Sequence, residues 1–155
     1  MDSHHLKISE LIKQLTRDKL FWLAILAGPF FWGSLYYSGT GLTGPGWVSA
    51  NLVLFLQLAL LYPLLEELVF RGLLQESLWK THLANLSIYC ISLPNIITSL
   101  LFTAFHFFSH SAAWAVAVIF PSLVFGYFRD RYRHVLPAVI LHMFYNSGYF
   151  VLFGK

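Results

Sequence analysis

Apolar positions in this chain run in long uninterrupted tracts, and the ionisable residues are confined to short islands between them. Residues 20–65 contain no Asp, Glu, Lys or Arg. Further uncharged tracts lie between the islands at residues 66–80 and 129–133, and after the latter up to the terminal Lys155. A helical span takes roughly 20 apolar residues, so the three tracts hold about two, two and one spans. This predicts an all-α polytopic membrane bundle of about five transmembrane helices. The first covers residues 20–37 and ends in the glycine-rich turn region 38–46. A second starts near Trp47 or Val48 and continues into residues 66–79, near 45 Å at about 1.5 Å per residue. Two more fall at about 92–108 and 112–128, and the last at 135–153. Pro63, Pro94 and Pro121 are candidate kinks. Residues 1–19 place Ile8, Leu11, Ile12 and Leu15 at helical spacing with Lys7, Glu10, Lys13 and Arg17 between them, a short amphipathic helix lying on the cytoplasmic surface. With no internal repeat and no low-complexity linker, residues 1–155 read as one membrane-embedded domain.

Composition agrees with a bilayer setting. The chain is 57% hydrophobic, 18% aromatic and 11% charged, against about 25% charged in a soluble domain. The net charge of +3 does not indicate a nucleic-acid partner, because the basic residues flank hydrophobic tracts instead of sharing one polar face. Lys7, Lys13, Arg17 and Lys19 precede the first span, Arg129, Arg131 and Arg133 precede the last, and the turn regions near residues 39–46 and 109–112 carry no Lys or Arg. The positive-inside rule then places the amino terminus in the cytoplasm and the carboxyl terminus outside. Residues 20–37 lack a small-x-small cleavage site and read as a retained span. Cys90 is alone, so no intrachain disulfide forms, and it reads as a small apolar filler.

The chemistry is concentrated where Glu66 and Glu67, with Arg71 four residues on, interrupt the apolar run. Ionisable groups at membrane depth are costly and tend to be paired or functional. At 100° per residue Glu67 and Arg71 share a helix face and can form an ion pair, whereas Glu66 points about 100° away from Glu67 and has no local cation. An unpaired, poorly solvated carboxylate suits a general base. Two more polar constellations stand in apolar helices: Phe102 to His106, ending a span in a histidine, and His142 to Asn146, which share a face. A histidine beside a carboxylate can hold and activate a water, and a His with an Asn can donate to a developing oxyanion. Together they describe amide hydrolysis within a membrane.

Glu66-Glu67-Leu68-Val69-Phe70-Arg71 resembles the Glu-Glu-x-x-x-Arg motif of the CPBP membrane proteases, which include the CAAX prenyl endopeptidases and the abortive-infection proteins. Phe102 to His106 resembles that family's Phe-x-x-x-His and His142 to Asn146 its His-x-x-x-Asn, in the same order, over about residues 48–150. Gly126 to Arg131, leading to Leu136-Pro137-Ala138, is similar to the segment before the last motif. The resemblance implies a glutamate-dependent intramembrane endopeptidase with no catalytic metal and no cofactor. Glu66 would be the general base, His106 its partner, His142 and Asn146 oxyanion donors, and Glu67 and Arg71 supporting residues. It implies a membrane-anchored protein or peptide substrate in the lipid bilayer, with C-terminal sorting or anchor signals as the substrate class and the bacterial cytoplasmic membrane as the location. The chain is shorter than typical members, with few helices before the first motif.

Plainer readings stand beside these. Glu67 and Arg71 could simply brace a helix end, and Asn146 could join neighbouring helices. His106 and His110, or Glu66 with His106 and His142, could hold zinc. No Ser sits in a nucleophile-elbow context. An immunity or scaffold relative without proteolysis and a small transporter are the rival functions. One tension is geometric: in a simple five-span count Glu66 and His106 fall at opposite ends of their helices. They meet only if the second helix continues through Trp79 with Glu66 well inside, or if the third begins deep at Pro94 and Asn95.

Overall fold

The computed structural model describes residues 7–154; residues 1–6 of the predicted surface segment, and Lys155, lie outside them. The chain forms helices α1 (Ile8–Arg17), α2 (Lys19–Tyr37), the single turn α3 (Gly46–Ala50), α4 (Leu52–Trp79), α5 (Leu93–His106), α6 (Ala112–Tyr132) and α7 (Leu136–Phe153). A two-residue antiparallel hairpin, β1 (Ser87–Ile88) with β2 (Ile91–Ser92), leads into α5. Four helices, α2, α4, α6 and α7, are long and apolar enough to cross a membrane. The fifth expected span is α5, whose 14 residues reach only about 21 Å, less than the roughly 30 Å of hydrocarbon. Ser92 caps its first turn by accepting the Asn95 N–H, and Pro94 sits within that turn. There a proline starts a helix instead of kinking it, because the missing N–H would have had no partner.

The distribution of side chains is inverted relative to a soluble protein. Leu23, Phe30, Val53, Leu73 and Phe120 are each more than 60% exposed, while Glu67, Arg71, Gln75, Asn95, Ser99 and Ser122 are all 0% exposed. Only a lipid surround makes that arrangement favourable: the aliphatic side chains meet acyl chains, and the polar groups meet each other. The protein is therefore an integral membrane protein. Its apolar core joins α1, α2, α6 and α7 through Leu11, Leu15, Phe21, Ala24, Phe125, Phe128, Tyr132, Ala138 and Leu141. Close approach of α2 to α7 rests on Gly148, where a Cβ would run into the Trp32 indole.

The charge islands gather at one end. Asp18, between α1 and α2, pairs with Arg131 at 2.9 Å and accepts from Tyr132 Oη at 2.6 Å. Arg129 pairs with Glu76, and Arg133 lies over the Trp79 ring. Asp130 accepts from Trp79 and Gln75 of α4 and from Ser92 at the start of α5. This fixes the register of the two helices and resolves the geometric tension. Glu66 lies 13 residues from Trp79 and His106 14 residues from Ser92, so both stand about 20 Å from the charged end. The first alternative holds: α4 continues through Trp79.

Two stretches of α4, Gln57–Leu61 and Leu68–Gln75, are wound as π-helix, on either side of the α-helical segment Tyr62–Glu67. Their i to i+5 bonding turns the chain by less than 100° per residue, so side chains four apart drift less around the axis. Glu67, Arg71 and Gln75 thereby form one buried stripe. In α6 the helical bonding changes at Val118, between Ala112–Ala117 and Ile119–Tyr132. Pro121, which has no N–H for the Ala117 carbonyl, supplies the reason. Cys90 is exposed at the hairpin turn, so the expected buried filler is instead a surface residue, carried out by a turn in which Tyr89 adopts φ 53°.

Candidate active site

Arg71 occupies the centre of the bundle, and its guanidinium is nearly saturated. Nε donates to Glu67 Oε2 at 3.3 Å, Nη1 to Gln75 Oε1 at 3.2 Å and Ser99 Oγ at 3.4 Å, and Nη2 to the Ser122 carbonyl at 2.8 Å and to its hydroxyl. This is the ion pair expected from the i, i+4 spacing, and it is fully buried. A buried pair persists when its remaining donors and acceptors are also matched, and Arg71 draws those matches from α4, α5 and α6.

Glu67 is held from its other side too. Its Oε1 lies 2.8 Å from His142 Nδ1. A carboxylate at that distance makes Nδ1 the protonated nitrogen and turns Nε2 toward Glu66, whose Oε2 is 3.7 Å away. His142 thus stands between the two glutamates, stacked on the Phe125 ring with centroids 5.0 Å apart. Glu66 differs from Glu67 as the sequence predicts: its side chain keeps 29% exposure against none for Glu67, and no Lys or Arg pairs with it among the described residues.

His106, at the end of α5, places Nδ1 2.8 Å from the Phe102 carbonyl one turn back. A carbonyl only accepts, so Nδ1 carries the hydrogen and Nε2 keeps its lone pair. The Phe102 ring contacts both imidazoles, with centroids 4.5 Å from His106 and 5.9 Å from His142. His106 also stacks on His110, 5.4 Å away, in the loop that follows. Among the described residues no three His, Cys, Asp or Glu side chains form a group that could hold a metal ion.

Asn146 lies one turn beyond His142 and donates Nδ2 to the Leu58 carbonyl at 3.1 Å. The reason is in α4. Leu58 falls in the first π-helical stretch, where Tyr62 N–H bonds to Gln57 O, five residues back. The next donor in that pattern would be residue 63, a proline without an N–H. Asn146 occupies the place of that donor, ties α7 to α4, and keeps its second amide hydrogen.

All six sequence-predicted residues therefore belong to one connected region. Glu66, Glu67, Arg71 and His142 lie in direct succession, His106 joins them across the Phe102 ring, and Asn146 joins through α4. Sequence reasoning missed the supporting polar groups Gln75, Asn95, Ser99, Ser122 and Asp130. Asn95 donates to the Leu123 carbonyl at 3.0 Å and accepts from Ser99 Oγ at 3.0 Å, while Gln75 donates to the Gly126 carbonyl at 3.1 Å. Their signal was the four-residue spacing of Arg71 with Gln75, and of Asn95 with Ser99, within apolar helices.

No curated protein and no solved structure shows significant similarity to the chain. The family model described as type II CAAX prenyl endopeptidase Rce1-like matches residues 47–148, a stretch that includes every residue of the cluster just described. The chain thus belongs to the Rce1-like family of type II CAAX prenyl endopeptidases, a family of membrane proteases.

Proposed function

We propose that the protein is a glutamic-type intramembrane endopeptidase, in which Glu66 and His106 activate a water that attacks a peptide carbonyl. The reading is supported above all by the contact of His142 with both glutamates, which joins the first and third motifs around a half-buried carboxylate. Glu66 is the general base: it takes a proton from the attacking water, shared with the lone pair of His106 Nε2, and returns it to the amine nitrogen as the C–N bond of the tetrahedral intermediate breaks. The developing oxyanion receives the second amide hydrogen of Asn146 and, from the imidazolium form of His142, the Nε2 hydrogen. Glu67 and Arg71 are positioning residues: the buried ion pair holds His142 in the orientation that turns Nε2 toward the reacting groups. The substrate is a membrane-anchored protein or peptide, with a C-terminal anchor or sorting signal as its class. The charge islands at one end suit a cytoplasmic amino terminus in a bacterial inner membrane.

The test is cleavage of a membrane-anchored reporter peptide by the full chain reconstituted in bilayers. Glu66→Gln and His106→Ala should each lower turnover by at least about 100-fold, the usual range for losing a general base, with membrane insertion unchanged. A chelator should leave activity intact. Full activity in Glu66→Gln refutes the mechanism, and activity lost to the chelator and restored by Zn²⁺ refutes its metal-free form.

A further inference from the structure

A cleft remote from the catalytic cluster opens where α1, α2 and the end of α6 meet. It is a shallow, open depression lined by Gln14, Arg17, Asp18, Lys19, Arg131 and Tyr132. From these residues we infer that it is a binding site for the phosphate headgroup of an anionic phospholipid.

Its level in the membrane follows from α1. Leu11 and Leu15 are buried against the bundle, while Ile8 and Ile12, on the adjoining side of the same helix, are 60% and 48% exposed. Lys13 and Arg17 fall on the opposite arc. A helix so divided lies in the interface, with its free apolar side chains among acyl chains. Trp22, one turn into α2, donates its indole N–H to the Thr16 carbonyl at 2.9 Å, an arrangement typical of headgroup depth. The cleft also marks the terminus of two spans, the start of α2 and the end of α6.

Its charge is uncompensated. The one carboxylate, Asp18, is already engaged by the Leu20 N–H, Arg131 Nε and Tyr132 Oη, at 2.9, 2.9 and 2.6 Å. Arg131 is thereby neutralised and fixed, with Nη1 3.4 Å from Tyr127 Oη. Arg17 and Lys19 have no carboxylate partner among the described residues. Two unpaired cations beside a fixed guanidinium, with the Gln14 amide available to donate, match the oxygens of a phosphodiester. This assignment is independent of the proteolytic reading, since none of these residues belongs to the catalytic cluster.

Detergent-purified full-length protein is titrated with phosphatidylglycerol, phosphatidylcholine or inorganic phosphate, and bound lipid is counted by native mass spectrometry alongside the thermal midpoint. Phosphatidylglycerol should bind in preference to phosphatidylcholine and raise the midpoint, and inorganic phosphate should do neither at equal concentration. Arg17→Ala with Lys19→Ala should weaken phosphatidylglycerol by about 30-fold, from roughly fivefold per juxtamembrane cation. Lys7→Ala with Lys13→Ala removes the same charge from α1 outside the cleft and should change affinity by less than about threefold. Equal loss in both double variants, undiminished binding in the first, or no preference over phosphatidylcholine overturns the site; stabilisation by inorganic phosphate alone overturns the lipid as its source. If the alanine pair does not fold, Arg17→Gln with Lys19→Gln gives the same readout.

Discussion

Replacing Asn146 with alanine should cost stability only while residue 63 is proline. In the native chain the Leu58 carbonyl has no intrahelical donor, and Asn146 Nδ2 supplies one at 3.1 Å. Deleting the amide leaves that carbonyl unsatisfied in an apolar surround. An interhelical hydrogen bond in a membrane averages about 0.6 kcal/mol and reaches about 1.7, and stranding a buried acceptor costs about 1–3 kcal/mol; about 1.5 kcal/mol is the working figure. Pro63→Ala restores an N–H at residue 63, so the Leu58 carbonyl regains a partner within α4. In that background Asn146→Ala should cost no more than about 0.5 kcal/mol, a coupling of about 1 kcal/mol and within the range for contacting residues. Equilibrium unfolding of the four variants in mixed micelles measures the cycle. Additive costs, meaning an Asn146→Ala penalty that is the same with and without Pro63→Ala, would refute the idea that the amide replaces the proline's missing donor.

Three further outcomes follow from other contacts. Arg71→Met leaves Glu67 buried without a cation and should destabilise the fold by about 3–5 kcal/mol, read as a lowered unfolding midpoint, whereas Arg17→Ala at the surface should change it little. Gly126→Ala would drive a Cβ into the Asn95 side-chain amide; displacing that amide from Leu123 and Ser99 should cost about 2–3 kcal/mol, and an unchanged midpoint would show that α5 and α6 separate freely. For Asp18, burial pushes its carboxyl up, but hydrogen bonds from Tyr132, the Leu20 N–H and Arg131 outweigh it and hold it below its ordinary range. A depressed carboxyl contributes stability above its unfolded value near 3.8 and loses it as pH falls through the lower folded value. The attachment of α1 should therefore hold at neutral pH and loosen below about pH 4, visible as faster amide exchange in α1, and Asp18→Asn should remove that pH dependence.

Much of this was legible because membranes simplify the pattern. Charge islands marked the helix ends, and the 100° rotation separated the surroundings of Glu66 and Glu67. The ion pair of Glu67 with Arg71 follows from spacing alone. What the sequence concealed were departures from ideal helix geometry. The π-helical turns of α4 depend on where carbonyls find donors across the bundle, which local propensity does not encode. The helix expected at about 92–108 is close to the observed Leu93–His106, but the hairpin before it went unread because residues 81–92 are as uncharged as the helix they precede. The partner of Asn146 could not be read either, since it is a backbone carbonyl 88 positions away.

The anchoring of α4 and α5 on Asp130 acts as a depth gauge. With Glu66 and His106 both about 20 Å from the charged end, a hydrocarbon layer of roughly 30 Å leaves about 10 Å to the far side. Three extended residues cover that distance. In the proposed mechanism, a chain descending from the uncharged side would straighten only its outermost turns to bring a scissile bond level with the two groups, whereas one rising from the charged side would unravel over twice that depth.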